Sequence, residues 1–411
     1  MYPQALVLDP TGGSREQGAA LRARGPVTPV RLPGDVAAWA VTHHATLTSV
    51  LSDPVTFAKD PVNWAAWREG AIRSDWELIS WIAAPNMLNT DDPQHRLLRN
   101  LTSTAFTAGQ ITHLRARVTM ITNRLLDRMY ELDIHAVDLK AAYALPLPLT
   151  VISELFGIPA SDRAAMERLC ATVFDQTITP AQAATNHQAL QDFFADLVAA
   201  KRRAPGDDLT SHLIQARDAG QQLSETELVW TLILMLGAGH ETTVNLITNA
   251  AAALLQHDEQ LPLLLEGTLP WSTAVEETLR WAPPIANMPF RYTTTDVTLG
   301  GVKIPAGEAL LLCFAAAGGD PAAHGPSADR FDIARTPHAR QLAFGHGPHF
   351  CLGAPLARLE GAIALERLFT TYDLTLAAER LQPMPSIIAT GLTALPVTYS
   401  PRAPRLPAAR G

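Results

Sequence analysis

Cysteine is scarce in this chain. The 411 residues hold three, Cys170, Cys313 and Cys351, odd in number and far apart, which argues against a disulfide framework and for a reducing compartment. Basic residues are too few for a protein that grips nucleic acid: 32 Lys and Arg stand against 40 Asp and Glu, a net charge of −8, whereas phosphate binding needs a basic face. No stretch approaches the roughly 20 uninterrupted apolar residues that span a bilayer, so no membrane anchor is expected. The opening "MYPQALVLDPTGG" has neither the basic nor the apolar region of a signal peptide. These absences predict a soluble, cytoplasmic protein. Internal repeats and low-complexity linkers are also missing, and Pro and Gly are scattered along the chain, so a single domain over residues 1–411 is expected.

What is present is a large apolar fraction, 47%, against 18% charged residues, enough for a substantial core. "PVTPVRLPG" and "AWAVTHHA" read as short strands before a small helix, "HATLTSVLSD". Helical periods dominate from about Pro93: "HRLLRNLTSTAF", "LRARVTMITNRLLDRMYEL", "LPLTVISELFG" and "NHQALQDFFADLVAAKRR". The longest pattern follows Ser224. Ser224 and Glu227 form a capping-box signature, and Leu223 with Leu228 could close a hydrophobic staple. Apolar residues surround this helix on most faces, which makes it central. Its midpoint, "GHETT", carries an acid and an imidazole that are costly in lipid. Gly239 and the β-branched pair Thr242-Thr243 predict a kink or local widening there. A further helix, "WSTAVEETLRWAP", precedes strand-like "FRYTTTDVTLGGVKIPAGEALLLCF" with a Gly-Gly turn. The class expected is mainly α with small β-sheets.

The densest cluster of reactive side chains lies in "AFGHGPHFCLGAPLARLE". His346, His349 and Cys351 fall within six positions. Zinc fits poorly, since structural sites bring four ligands and three so close would strain a tetrahedron. A nucleophilic cysteine is possible, because Cys351 precedes a helix whose N-terminus lowers a thiol pKa. A buried structural cysteine is the commonest fate of a lone Cys but leaves the glycines unexplained. Gly345 and Gly347 allow a tight loop that aims N–H groups at the sulfur. Gly353 clears space, and Phe344 could pack on a flat face. A planar disc with a central metal fits all four.

"FGHGPHFCLG" resembles the cysteine-loop signature of the cytochrome P-450 family, F-x-x-G-x-x-x-C-x-G, through Phe344, Gly347, Cys351 and Gly353. Three further family motifs follow the expected order. "EETLR" supplies Glu277 and Arg280, a structural pair completed in the family by a later arginine, here Arg330 or Arg335. "AGHETT" supplies Ala238 and the acid and alcohol Glu241 and Thr242. "DPQHRLLR" supplies His95 and Arg99, which with Arg291 and His349 would hold haem propionates; His346 would be incidental. One departure is "AAAGGDP", where Gly318 and Gly319 replace a polar pair, which touches a surface or loop contact. The resemblance covers essentially the whole chain and implies the P-450 fold, one large domain with a long central helix over the haem.

It also implies a haem-thiolate monooxygenase that uses O2, with haem b bound by Phe344, Gly345, His349, Cys351 and Gly353 and with iron on Cys351. Thiolate donation favours O–O cleavage, and Glu241 and Thr242 would deliver protons. Electrons from NAD(P)H would arrive through a separate ferredoxin and ferredoxin reductase, because no flavin or iron–sulfur segment follows Cys351. A patch at Arg115, Arg117, Arg340 and Arg358 is the expected ferredoxin dock. A monomer is expected. The segments expected over the haem are largely apolar, with Met87, Leu88, Leu234, Ala238, Ile285, Ala286, Asn287, Met288 and Leu392 as pocket residues, so a bulky hydrophobic substrate is favoured. Four tryptophans between Trp64 and Trp81 either line that space or pack a lid. The pattern looks most like the actinobacterial family numbered 154, which points first to steroid-like hydroxylation. The alternatives are natural-product tailoring, by macrolide or polyketide hydroxylation or by oxidative coupling of aromatic or cyclic dipeptide substrates, and a non-catalytic haem sensor or carrier, which would have little need for Glu241 and Thr242.

Overall fold

Helices form where the apolar periodicity places them, among them α1 (His44–Ser52), α2 (Gln94–Ser103), α3 (Ala108–Glu131), α4 (Pro146–Leu155), α5 (Pro180–Arg203), α6 (Glu225–Gln256), α7 (Trp271–Trp281) and α8 (Ala354–Thr371), with further helices such as Ser14–Ala23 and Leu209–Asp218 beside them. The computed structural model describes residues 5–103, 106, 108–132, 135–171, 179–218, 224–336 and 339–402. Helix α6 begins at a complete capping box: Ser224 Oγ accepts from Glu227 N at 3.1 Å and the Glu227 carboxylate accepts from Ser224 N at 2.8 Å. Leu228 is buried; its staple partner Leu223 lies outside the described residues. At about 1.5 Å per residue the 32-residue α6 is roughly 48 Å long, and it packs against α4, α5, α7 and α8.

The expected kink in α6 does not occur. The helix stays α-helical from Glu225 to Gln256, and Gly239 serves closeness: a Cβ there would stand 3.2 Å from Ile152 Cδ1 on α4. The Thr242 and Thr243 hydroxyls donate one turn back, to the Ala238 and Gly239 carbonyls at 2.5 and 3.1 Å, which satisfies them within the helix. The widened turn lies instead in the neighbouring segment, where Lys140–Ala144 form a π-turn packed on α6. Such turns gather at functional sites.

The strands are β1 (Leu6–Val7), β2 (Val27–Leu32), β3 (Val36–Val41), β4 (Phe57–Ala58), β5 (Ala136–Asp138), β6 (Asn287–Thr293), β7 (Val297–Leu299), β8 (Val302–Ile304), β9 (Ala309–Cys313), β10 (Tyr372–Leu376) and β11 (Pro396–Pro401). The largest sheet has the order β1-β2-β3-β9-β6-β4. It joins the first sixty residues to the segment after α7 and so fixes β4 beside β6. The predicted Gly-Gly turn, Gly300-Gly301, connects β7 to β8 with φ of 56° and 82°, angles open to glycine alone at low cost. Trp64 and Trp76 are buried and cluster with Phe290 and Tyr292, Trp64 lying 5.3 Å and 5.7 Å from those two rings. These two tryptophans are core packing between residues 64–76 and β6. Among the described residues no helix is long and apolar enough to cross a membrane.

Candidate active site

The loop before α8 is held open on one side and tight on the other. Gly345 and Gly347 have φ of 73° and 69°, and a Cβ on Gly347 would lie 2.3 Å from the Leu51 carbonyl of α1, so only glycine lets the loop seat against that helix. The turn is closed by Cys351 N donating to the Phe344 carbonyl at 2.8 Å. The Cys351 sulfur accepts from the backbone N–H groups of Gly353 and Ala354 at the start of α8. Burial pushes the thiol pKa up, while those two donors and the cations Arg99 and Arg358 oppose the rise. The net direction is upward, so these groups alone leave the thiolate disfavoured; a coordinated metal cation would reverse that balance and deprotonate the sulfur. His346, by contrast, is exposed.

Above this loop the structure collects cations. His95 and Arg99 come from α2, Arg291 from β6 and His349 from the cysteine loop. The His95 and His349 rings stack at 3.9 Å, and Arg99 Nη2 donates to the Phe350 carbonyl at 2.7 Å. Arg291 is 1% exposed; its Nη1 reaches the Phe57 carbonyl at 3.3 Å and its Nε is buried with no partner. Burial lowers the Arg291 pKa to about 10. Burial, then Arg291, His95, Lys59 and Arg99 in turn, drive that of His349 far below the imidazole range. A buried guanidinium with an unpartnered Nε, beside the cations Arg99 and Lys59 and two imidazoles, calls for an anion. A haem fits the two features together, its propionates answering the cations and its iron answering the sulfur.

One face of α6 stays accessible along the middle of the helix. Leu234, Ala238, Glu241 and Thr242 follow one another at helical spacing; Ala238 is exposed although it lies mid-helix, and the other three are half-buried. Burial raises the Glu241 pKa, opposed by Lys140 and Asn245; Lys140 Nζ lies 3.7 Å from its Oε1 and also donates to the Leu392 carbonyl at 2.8 Å. His240 points away into the protein. It is buried, bonded to the backbone of Leu145 and lowered by burial to about 4. Neither Lys59 nor Lys140 is conspicuous in the sequence, since neither belongs to a recognisable motif. Only the sheet register and the π-turn reveal them.

The remaining predicted residues are distributed as follows. Glu277 and Arg280 form a buried bidentate pair at 2.6 and 2.8 Å. The completing arginine is Arg335, whose Nε lies 3.3 Å from Glu277 Oε1; Arg330 contributes its backbone carbonyl to Arg280 at 2.7 Å. Gly318 is no surface residue, because its carbonyl accepts from Arg280 at 2.6 Å and a Cβ there would lie 2.0 Å from the Arg280 carbonyl. Among the pocket residues, Met87, Leu88, Met288 and Leu392 are half-buried, as is Asn287, which donates to the Ile387 carbonyl at 2.6 Å. Ile285 is 9% exposed, while Ala286 is fully buried and reaches no open surface. Of the basic patch, Arg117 is paired with Glu154 and Arg358 with Glu276; Arg115 is exposed and Arg340 lies over the Phe350 ring at 5.1 Å.

Comparison with known proteins yields consistent matches. A family model described as cytochrome P-450 matches residues 271–400. The chain is 40% identical over 405 residues to 2-hydroxy-5-methyl-1-naphthoate 7-hydroxylase of Streptomyces carzinostaticus, covering 97% of this chain and 98% of that protein. Among solved structures, testosterone-bound CYP154C4 from Streptomyces sp. ATCC 11861 superposes with a TM-score of 0.93 at 41% identity, covering 96% of this chain and 98% of that one. CYP154A1 from Streptomyces coelicolor A3(2) superposes at 0.89 with 44% identity, covering 96% and 100%.

Proposed function

From its membership of the cytochrome P-450 family, which makes this chain a monooxygenase, we propose that it hydroxylates a bulky apolar skeleton, steroid-like in preference, using haem b held by Cys351 and electrons from NAD(P)H passed through a ferredoxin and its reductase. The observation that carries the haem assignment is the pairing of a half-buried cysteine just ahead of α8 with a basic cluster in which the buried Arg291 keeps its Nε without a partner. Bound there, haem iron supplies the oxygen-activating chemistry, with thiolate donation favouring O–O cleavage.

The chain's own residues do the rest. Gly353 and Ala354 N–H groups temper the charge on the Cys351 sulfur, and Arg99, Arg291, His95 and His349 orient the cofactor through its carboxylates. The Thr242 hydroxyl, donating to the Ala238 carbonyl, keeps its lone pairs toward the accessible face. Glu241, half-desolvated and tethered by Lys140, holds a proton more readily than a surface carboxylate would and can pass it to Thr242 or to water. The steroid preference is supported by the apolar character of the segments around Met87, Leu234 and Leu392 and by the testosterone-bound neighbour. Tailoring of an aromatic or polyketide skeleton is the second reading, favoured by the naphthoate hydroxylase relative. Spin-state titration of the ferric protein against testosterone, a macrolide and a hydroxynaphthoate separates them. A saturable shift with the steroid at the lowest concentration supports the first; a shift only with the naphthoate or macrolide replaces it with the second.

A further inference from the structure

Lys59 is the one member of the cation cluster that no family motif announces. Strand β4 pairs with β6 in antiparallel register, Phe57 opposite Thr293 and Ala58 opposite Tyr292; Lys59 follows directly at the strand's end, its Nζ reaching the Pro289 carbonyl of β6 while Arg291 Nη1 reaches the Phe57 carbonyl of β4. The two cations meet at this edge of the sheet, where like charges repel. Both are buried, Lys59 to 3% and Arg291 to 1% exposure. Lys59 Nζ has a single partner among the described residues, the Pro289 carbonyl at 3.0 Å. The nearby carboxylate of Asp91 is already engaged by the backbone N–H groups of Lys59 and Asp60 at 2.9 Å. Lysine is almost never fully buried unless paired, and a carbonyl does not neutralise it.

We propose that Lys59 is a propionate-binding residue that acts with Arg291 as a two-pronged clamp across the β4/β6 edge and so sets both the retention and the reduction potential of the haem. This rests on the haem assignment above. A carboxylate between the two prongs converts a repulsive cross-strand pair into a cation–anion–cation bridge, which is the arrangement that makes the burial of both tolerable. The same positive charge beside the porphyrin edge favours the ferrous state, which carries one more electron.

The test uses purified holoenzyme and the variants Lys59→Met and Lys59→Arg. Haem transfer to excess apomyoglobin and the ferric/ferrous midpoint potential are measured for each. Lys59→Met should release haem about tenfold faster and titrate at a lower potential, and Lys59→Arg should restore both. Reconstitution with haem dimethyl ester should abolish the difference in haem release between Lys59→Met and the parent. A merely structural lysine would leave the potential unmoved, or would lose haem with the ester and the free acid alike, and either result overturns the clamp. The haem assignment fails separately, if the parent protein itself shows no thiolate-ligated haem.

Discussion

Two buried charge clusters in this molecule have opposite constitutions. Glu277, Arg280 and Arg335 form a closed network whose donors find a carboxylate or a carbonyl, including those of Gly318, Ala328 and Arg330. Lys59, His95, Arg99, Arg291 and His349 form an open one, all cationic or imidazole, with Arg291 Nε left without a partner. Desolvating a charge is tolerable only where a counter-charge and hydrogen bonds answer it. A cluster that answers itself therefore belongs to the scaffold, and one that does not marks where a ligand of opposite sign is held. Glu360 on α8 is a third case, a lone acid 2% exposed with Oε2 unpartnered, which burial raises to about 8. A carboxyl has an exit that a guanidinium lacks: it can keep its proton.

The contrast can be broken most forcefully at the closed network. Glu277→Ala strands two buried arginines and should cost about 3–5 kcal/mol in thermal unfolding of the holoenzyme; a loss below about 1 kcal/mol would show that the network is not what holds that corner. At the open cluster the effect should fall on the ligand. Arg291→Leu should speed haem release by a factor on the order of ten to a hundred, in line with charged hydrogen bonds of about 1.5–3 kcal/mol, with a smaller change in unfolding temperature than Glu277→Ala. If the two variants behave alike, the distinction between scaffold and site is lost.

The accessible face of α6 sharpens the comparison further. Thr242→Ala should divert roughly tenfold more reducing equivalents to hydrogen peroxide while the substrate-induced spectral shift is retained; unchanged coupling would retire Thr242 from proton delivery. A purely pH-dependent effect is expected at Glu360. Its pKa is raised in the folded state, so its contribution to stability is present below the unfolded carboxyl value near 4.5 and is lost as pH climbs toward about 8. Glu360→Gln should gain on the parent by up to about 4 kcal/mol between pH 5 and 8 and then hold level, as read from unfolding midpoints across that range.

Much of this was legible in the sequence, for reasons that differ by element. The capping box at Ser224 and the apolar period of α6 are local, so the helix start is encoded within four residues. The cysteine loop is legible because backbone geometry forces Gly345 and Gly347, and these two frame the approach to Cys351. Long-range placement was not. Which arginine closes on Glu277 depends on how residues 327–335 fold back over α7, and the choice of Arg335 appears only in the contact. The kink expected at Gly239 reflected helix propensity alone, whereas the close approach of Ile152 from α4 gives that glycine its purpose. Lys59 and Lys140 carry no motif, and their roles come from a strand register and a π-turn that join segments more than a hundred residues apart.

The central claim is that the Cys351 sulfur is the axial ligand of a bound haem, and the spectrum of the reduced, haem-loaded protein under carbon monoxide tests it most directly. The account predicts the red-shifted Soret band of a thiolate-ligated carbonyl adduct, lost in Cys351→Ala. A colourless protein after haem supplementation, or an adduct absorbing like that of an imidazole-ligated globin, would contradict it.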